Sequence, residues 1–191
     1  MKISIFAASS SKIPSEYFSV AAELGKLIAL SGNELVFGGG GIGLMGAVAD
    51  SAMNNGGRAT GVIPQFMVNN GWGHGSINET IITPDMNSRK KKIFEISDAV
   101  IALPGGVGTL EELTEAITLK QLGLFKGPIV ILNTEGFYNK LLGYFDQLID
   151  QNFMRPQHRD IWEVASDPQE AIRLVTEYDD WETDYVKIAR I

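Results

Sequence analysis

The chain has 191 residues, 45% of them hydrophobic, which fits one globular domain around a single core. Its formal net charge of -7 provides no broad positive surface for a nucleic acid. With no cysteine and only two histidines, far apart in sequence, disulfides, thiolate sites and histidine-rich metal clusters are excluded. The N-terminal apolar run is too short for a signal peptide or a membrane span. We expect a cytoplasmic single domain over residues 1–191, with no metal and no membrane partner.

Short apolar segments alternate with longer amphipathic segments along most of the chain. Strands are predicted at residues 2–7, 34–37, 58–64, 79–84, 98–104, 127–133 and 161–166. Helices are predicted at residues 14–30, 44–54, 86–97, 109–123, 136–153 and 167–178. Consecutive strand–helix units of this kind join parallel strands by right-handed crossovers. The pattern therefore predicts a doubly wound, mostly parallel, Rossmann-like α/β fold.

A first glycine loop, FGGGGIGLMG, follows the second predicted strand. Gly38, Gly40 and Gly43 fit the G-x-G-x-x-G pattern of dinucleotide sites. Such a site usually follows the first strand, and an acid near the end of the next strand holds the ribose. Here the next strand ends in Pro64 and Gln65, so the dinucleotide interpretation is weak. The alternative is that these glycines only allow close packing of strand and helix.

A second glycine loop, Gly105 to Thr109, leaves the most apolar predicted strand and leads into a helix. The amides at a helix N-terminus carry partial positive charge and can bind a phosphate. Thr109 and Glu112 also fit a T-x-x-E capping box, in which Glu112 would only satisfy the Thr109 amide. Both interpretations remain open at this point.

Three further features have competing interpretations. The run Arg89 to Lys92 is either an ordinary solvated basic face or a set of cations that attracts an anion. In the polar segment 65–78, Trp72 could stack on a base, although filling a hydrophobic notch is favoured. His74 could contact a base, but a solvent-facing loop histidine is the more common case.

Several motifs together resemble the LOG family of cytokinin-riboside 5'-monophosphate phosphoribohydrolases. PGGVGTLEE resembles its PGGxGTxxE signature, FGGGGIGLMG its YGGGxxGLMG and MNSRK its MxxRK, in the family's order. The resemblance implies hydrolysis of the N-glycosidic bond of a nucleoside 5'-monophosphate, with no metal or redox cofactor. The expected substrate is N6-modified AMP such as isopentenyl-AMP, AMP or a related purine nucleotide. The resemblance also implies a homodimer.

The same resemblance implies the site residues. Arg89 and Glu112 are the expected catalytic pair, with Ser9 an alternative to Ser10 among the binding residues. The expected substrate-binding residues are Ser10, Gly40, Glu79, Lys90, Gly105, Gly106, Val107, Gly108, Thr109, Leu110, Glu111 and Thr118. A carboxylate near the anomeric carbon stabilises the positive charge that develops there in the transition state. Whether Glu112 does this, binds ribose hydroxyls or orients water stays open.

Two other function classes compete with hydrolysis. The same loops could serve a noncatalytic module that binds a nucleotide or dinucleotide. Lysine decarboxylation with pyridoxal phosphate would need a lysine that forms a Schiff base, and no lysine stands out in the sequence for that role.

Overall fold

Seven strands form one parallel sheet in the computed structural model, which describes residues 1–179. The strands are β1 (Lys2–Phe6), β2 (Glu34–Phe37), β3 (Arg58–Pro64), β4 (Glu79–Thr83), β5 (Ala99–Ala102), β6 (Ile129–Leu132) and β7 (Glu163–Ala165). The helices are α1 (Ser15–Leu30), α2 (Gly43–Asn54), α3 (Gln65–Asn69), α4 (Met86–Ile96), α5 (Val107–Gln121), α6 (Asn139–Asp150) and α7 (Pro168–Thr176). The predicted doubly wound, Rossmann-like fold is confirmed.

The strand order is β4-β3-β2-β1-β5-β6-β7. The chain first winds outward from β1 to β4, then returns beside β1 as β5 and winds the other way. The strand order therefore reverses between β1 and β5. In register, Ile5 pairs with both Phe37 and Ile101, so β1, β2 and β5 end at the same edge of the sheet. Open parallel sheets bind ligands at this kind of switch point, outside the carboxyl ends of the strands.

Alternating strand side chains build two apolar layers. Ile3 and Ile5 of β1 belong to the layer under α1, α2 and α7, whereas Phe6 belongs to the layer under α4, α5 and α6. Most core positions on the central strands are fully buried, as expected for parallel strands covered on both faces. This double cover fixes the positions of the helix N-termini that surround the switch point.

The structure adds detail to the sequence prediction at two places, the segment 65–78 and helix α6. The segment, predicted as a long polar connection, contains the short helix α3. Helix α6 buries Phe145, which packs in the same apolar layer as Ile131 of β6, and also buries Ile149, while Tyr144 is exposed. Over residues 1–179, no helix has the length and apolar character required to cross a bilayer.

Close packing of α1 against α2 depends on Gly25. A Cβ added at this position would lie 2.2 Å from the Val48 carbonyl oxygen. We expect Gly25→Ala to lower the free energy of unfolding by about 1–3 kcal/mol, because the two helix backbones must move apart. Urea titration followed by circular dichroism measures the change.

Gly143→Ala is the matched control, since Gly143 is also helical but an added Cβ there meets no atom within 4 Å. Its expected effect is a gain of roughly 0.5–1 kcal/mol from better helix propensity. Equal effects of the two substitutions would show that the α1–α2 contact does not require glycine.

Candidate active site

A cavity of about 330 Å³ opens at the carboxyl ends of β1 and β5. Its lining comes from the loop after β1, from α2, α3 and α4, and from the beginning of α5. The lining residues are Ala7, Ala8, Ser9, Met45, Met67, Met86, Arg89, Gly106, Val107, Gly108, Thr109 and Glu112. We call it the central cavity. It brings Arg89 and Glu112 together with the loop Gly106–Thr109.

Arg89 enters this cavity from the first turns of α4. Asp85 caps the helix by accepting a hydrogen bond from the Ser88 amide at 2.8 Å, which also lowers the pKa of Asp85. The Arg89 side chain is 7% exposed, and its Nε donates to the Val62 carbonyl oxygen at 3.0 Å. Gly38 makes room for the guanidinium, since a Cβ there would lie 1.9 Å from Nη2. The arginine is therefore fixed by backbone on two sides.

Glu112 lies opposite, and Arg89 Nη1 donates to its Oε1 at 2.6 Å. The carboxylate is 12% exposed. Burial raises the pKa of Glu112 above its ordinary value, and the positive charge of Arg89 opposes this shift without cancelling it. The pair combines a partly desolvated acid with a fixed cation, an arrangement more frequent at functional sites than elsewhere.

The capping-box alternative for Thr109 and Glu112 is wrong. Helix α5 begins at Val107 with Gly106 as its N-cap, two residues earlier than the sequence pattern indicates. Thr109 is thus inside the helix, and the Glu112 side chain bonds Arg89 on α4. The carboxylate is held across two helices and does not satisfy its own helix terminus.

The side chains of the basic run Arg89 to Lys92 point in different directions around α4. The run therefore forms neither a single solvated face nor one cationic patch. Lys90 pairs with Glu111 and, at 2.9 Å, with Glu115 of α5. These hydrogen bonds, to Glu111 first and then to Glu115, raise the pKa of Lys90. Lys91 and Lys92 face outward and pair only loosely with Glu95. Of the four cations, Arg89 alone lines the central cavity within the described chain.

The N-terminus of α5 has free donors facing the cavity. No side chain caps it, and the amides of Gly106, Val107 and Gly108 have no acceptor among residues 1–179. A Cβ added at Gly106 or Gly108 would meet no atom of the described part of the chain within 4 Å, so these glycines leave the space above the helix open. At Gly105, by contrast, an added Cβ would lie 2.1 Å from Thr109 Oγ1.

In the first glycine loop, the glycines that lie closest to other parts of the protein allow close packing. A Cβ at Gly43, whose φ is +72°, would lie 2.5 Å from the Ala8 carbonyl oxygen. That oxygen already accepts the Leu44 amide at 2.9 Å, so protein satisfies the N-terminus of α2. Together with Gly38 beneath Arg89, this arrangement favours the packing interpretation over a dinucleotide site.

A second cavity of about 380 Å³ adjoins the central one, and we call it the side cavity. It shares Ser9, Met45, Met67 and Arg89 with the central cavity and adds Gly38, Gly40, Gly41, Ile42, Ile63 and Trp72. The notch interpretation of Trp72 is wrong, since this residue borders the cavity and is 53% exposed. The expectation for His74 is wrong too, because its side chain is 7% exposed and pairs with Asp50.

The remaining nominated residues lie in several places. Ser9 lines the central cavity, whereas Ser10 and Gly105 line a third cavity with Tyr17 and Phe137, which shares Ala8 and Gly106 with the central one. Gly40 lines the side cavity, and Leu110 is half-buried on α5. Glu79 begins the edge strand β4, and Thr118 lies on the exposed side of α5; neither lines either cavity.

Sequence reasoning missed the three methionines of the central cavity and the support of the loop after β5. Met86 lies one helical turn before Arg89, a spacing that could have placed both on one face of α4. The buried Tyr138 hydroxyl donates to the Leu103 carbonyl oxygen at 2.6 Å, and burial raises the pKa of this tyrosine. In residues 1–179, no three histidine or acidic side chains form a potential metal site.

Comparison with known proteins identifies the family. The family model described as "Possible lysine decarboxylase" matches residues 45–175. Over 177 residues the chain is 40% identical to the probable cytokinin riboside 5'-monophosphate phosphoribohydrolase LOGL2 of Oryza sativa subsp. japonica, covering 93% of this chain and 72% of that protein. It is 38% identical to the cytokinin riboside 5'-monophosphate phosphoribohydrolase LOG1 of Arabidopsis thaliana, covering 93% and 83%.

Solved structures agree on the fold. The molybdenum cofactor binding protein of Rippkaea orientalis superimposes with a TM-score of 0.69 at 25% identity, covering 92% of this chain and 95% of that one. The molybdenum cofactor carrier protein of Chlamydomonas reinhardtii has a TM-score of 0.67 at 24% identity, covering 92% and 96%. Sequence motifs, family model and plant relatives agree: the chain belongs to the LOG family.

Proposed function

We propose that the protein hydrolyses the N-glycosidic bond of a purine nucleoside 5'-monophosphate, either N6-modified AMP or AMP, to free base and ribose 5-phosphate. The observation that carries the proposal is the buried Arg89–Glu112 pair, which lies in one cavity with the open N-terminus of α5. The names of the plant relatives support the same reaction class.

The phosphate binds at the start of α5 in this proposal. Three unsatisfied amides and the helix dipole favour an anion there, and Gly106 and Gly108 allow the oxygens to approach the backbone. No broad positive field is needed for a single phosphate, which is consistent with the net charge of -7. The ribose then extends towards Glu112, which lies about one turn further along the helix.

The carboxylate of Glu112 would act on the sugar. As the bond between C1' and the base nitrogen breaks, the bonding electrons leave with the base and positive charge develops on the ribose. A fixed negative charge near C1' stabilises this transition state more than the ground state. Water then supplies hydroxide to C1', and its proton balances the charge of the departing base.

Arg89 has two roles in the proposed reaction. Its Nη1 holds the Glu112 carboxylate in place, which keeps the acid oriented before substrate binds. Since Nε bonds Val62 and Nη1 bonds Glu112, Nη2 is the guanidinium nitrogen best placed to donate to the substrate. A cation there would stabilise negative charge on the departing base.

The described lysines give no support to decarboxylation with pyridoxal phosphate. A Schiff-base lysine requires a lowered pKa, and it must reach the ligand. Lys90, the lysine next to Arg89, has a raised pKa and bonds two glutamates. The buried Lys120 donates to the Gly127 carbonyl oxygen, beyond the opposite end of α5. Across residues 1–179, no lysine lines the central or the side cavity.

The homodimer expectation also belongs to this proposal. Thr118, nominated for the nucleotide site, lies on the exposed side of α5. Leu122 and Leu124, just beyond the same helix, are 50% and 72% exposed. A second copy packed on this side would cover these apolar side chains, and sedimentation equilibrium measures the resulting mass.

The substrate is tested with a panel of purine and pyrimidine monophosphates, with and without an N6-isopentenyl group. We expect stoichiometric release of base and ribose 5-phosphate from purine monophosphates, measured by chromatography. A protein that binds these nucleotides but releases no base from any of them would instead be a noncatalytic module.

Glu112→Gln keeps the size of the side chain and an acceptor for Arg89 but removes the charge. We expect kcat to fall by about 100- to 1000-fold, because a preorganised charge is lost from the transition state. Nucleotide binding, measured by calorimetry, should persist. Glu115→Gln is the matched control on the same helix, since Glu115 pairs with Lys90 outside the cavity. Equal losses in both variants would contradict the role of Glu112.

The raised pKa of Glu112 predicts the pH dependence of kcat/KM. Because the reaction requires the carboxylate, activity should rise with pH as Glu112 loses its proton, with a midpoint above the ordinary glutamate value of about 4.3. The second ionisation of the substrate phosphate, near pH 6, also contributes. In Glu112→Gln, the remaining activity should depend on pH only through the ionisation of the substrate phosphate. If the fall of kcat/KM at low pH were the same in this variant as in the natural protein, Glu112 would not be the group that titrates.

The contribution of Glu112 to the free energy of unfolding should fall as pH rises, whereas its contribution to activity rises. Because the folded-state pKa of Glu112 is raised, the folded protein holds the proton more tightly than the unfolded chain does. This stabilising contribution is present below the unfolded pKa and is lost as pH rises through the folded pKa. Glu112→Gln leaves Arg89 without its counter-ion, so the natural protein should be the more stable of the two at low pH. We expect this stability difference to shrink as pH rises across the window, in urea titrations.

A further inference from the structure

The side cavity is the neighbouring cavity that also borders Arg89, which makes it the expected place for the base of a bound nucleotide. The central cavity is lined by Gly106–Gly108 and Glu112 of α5, and by Met45, Met67 and Arg89 from other elements. The side cavity shares Ser9, Met45, Met67 and Arg89 with it but contains no residue of α5, so the two cavities meet on the side away from that helix. If phosphate lies at the start of α5 and C1' lies near Glu112, the base extends past Arg89 into the side cavity.

We propose that Trp72 is the specificity-determining residue of this reaction and recognises the purine by stacking on its face. The inference rests on the function proposed above and concerns the selection of the base. Trp72 is 53% exposed and lines the side cavity, so its ring is accessible to a ligand there. A flat bicyclic base would bury more of this ring than a pyrimidine would, which favours purines.

The other side chains of the side cavity support recognition by shape. Apart from Ser9 and Arg89 they are apolar, and the rest of the lining is glycine backbone. Arg89 already uses Nε and Nη1 within the protein. Few side-chain groups are therefore left to read the hydrogen-bonding edge of a base, so apolar contact and stacking must supply most of the selection.

The segment that carries Trp72 is held against the first glycine loop before any ligand arrives. Gly40 and Gly73 form an antiparallel bridge, and the His74 amide donates to the Gly39 carbonyl oxygen at 2.8 Å. The Trp72 amide donates to the Met67 carbonyl oxygen at 3.1 Å, at the end of α3. These backbone bonds reduce the conformational freedom that stacking would otherwise have to remove.

His74 adds a side-chain anchor to the same segment. Its Nδ1 accepts the Ser76 amide at 3.2 Å, which assigns the proton of the neutral ring to Nε2. Nε2 then donates to Asp50 of α2 at 3.1 Å, and the ring packs edge-on against Phe37. The indole itself lies edge-on to Phe66 of α3, with ring centroids 6.4 Å apart. His74 and Phe66 are positioning residues for Trp72.

Intrinsic fluorescence tests the stacking without requiring turnover. In a Glu112→Gln background, AMP should quench tryptophan emission, and the additional substitution Trp72→Phe should abolish the quench. Trp162→Phe is the control, because Trp162 is 8% exposed beside Phe145 and outside both cavities. A quench that survives Trp72→Phe but disappears in Trp162→Phe would overturn the proposal.

Kinetics test the specificity. Trp72→Ala should raise KM for purine monophosphates by about 10- to 100-fold, the loss expected for one base–aromatic stack, with kcat changing by less than about threefold. The ratio of kcat/KM for AMP over that for a pyrimidine monophosphate should fall by about tenfold, since a smaller ring loses less overlap. Trp72→Phe should restore most of the preference. Phe153→Ala, an exposed aromatic outside both cavities, is the control.

These outcomes separate the two proposals. If no purine monophosphate releases base, the proposed hydrolysis fails, and the fluorescence titration still reports whether Trp72 contacts the nucleotide. If base is released but both Trp72 variants retain the purine KM and the purine preference, the hydrolysis stands. In that case the base binds elsewhere, for instance in the third cavity lined by Tyr17 and Phe137, and the inference about Trp72 is wrong.

Discussion

The buried ion pair between Arg89 and Glu112 is the interaction on which the rest of the site depends. Removing either partner would leave the other charge buried without a counter-ion, which typically costs about 3–5 kcal/mol of folding free energy. The fold limits this cost by giving Arg89 a backbone acceptor at Val62 and by keeping 12% of the Glu112 side chain exposed. The pair thus ties α4 to α5 and at the same time presents a carboxylate of raised pKa to the cavity.

The two glycine loops have different structural roles in the site. In the loop after β2, Gly38 makes space for Arg89 and Gly43 allows the close approach of the loop after β1. In the loop after β5, a Cβ at Gly106 or Gly108 would meet no atom of the described residues within 4 Å, so the helix N-terminus stays open. Both loops therefore border cavities, but the closest backbone approaches are in the first loop and the open helix N-terminus is in the second.

Much of the fold could be predicted from the sequence, because strand and helix periodicity are local properties. The seven strands and all α-helices except α3 follow the predicted alternation, while the short 3-10 helices Thr134–Gly136 and Pro156–Ile161 were not predicted. The family motifs also selected the cavity-lining residues Arg89, Glu112 and Gly106 to Thr109. The sequence did not show which of several adjacent residues lines the cavity. Ser9 rather than Ser10 lines the central cavity, and Arg89 rather than the adjacent lysines enters it. Adjacent residues on a helix or in a loop point in directions that differ by roughly 100° or more, which composition does not resolve.

The sequence by itself determined the order of the elements, the family, and the position of a glycine loop before a helix with an acid one turn along. Only the tertiary structure decided what that acid contacts. A Thr109–Glu112 capping box and an Arg89–Glu112 pair are both compatible with the local pattern, and the exposure of Trp72 and the burial of His74 likewise depend on partners distant in sequence. Contacts between residues 23 or 24 positions apart form because the crossovers bring separate helices and loops to one edge of the sheet, and that arrangement is a property of the whole fold.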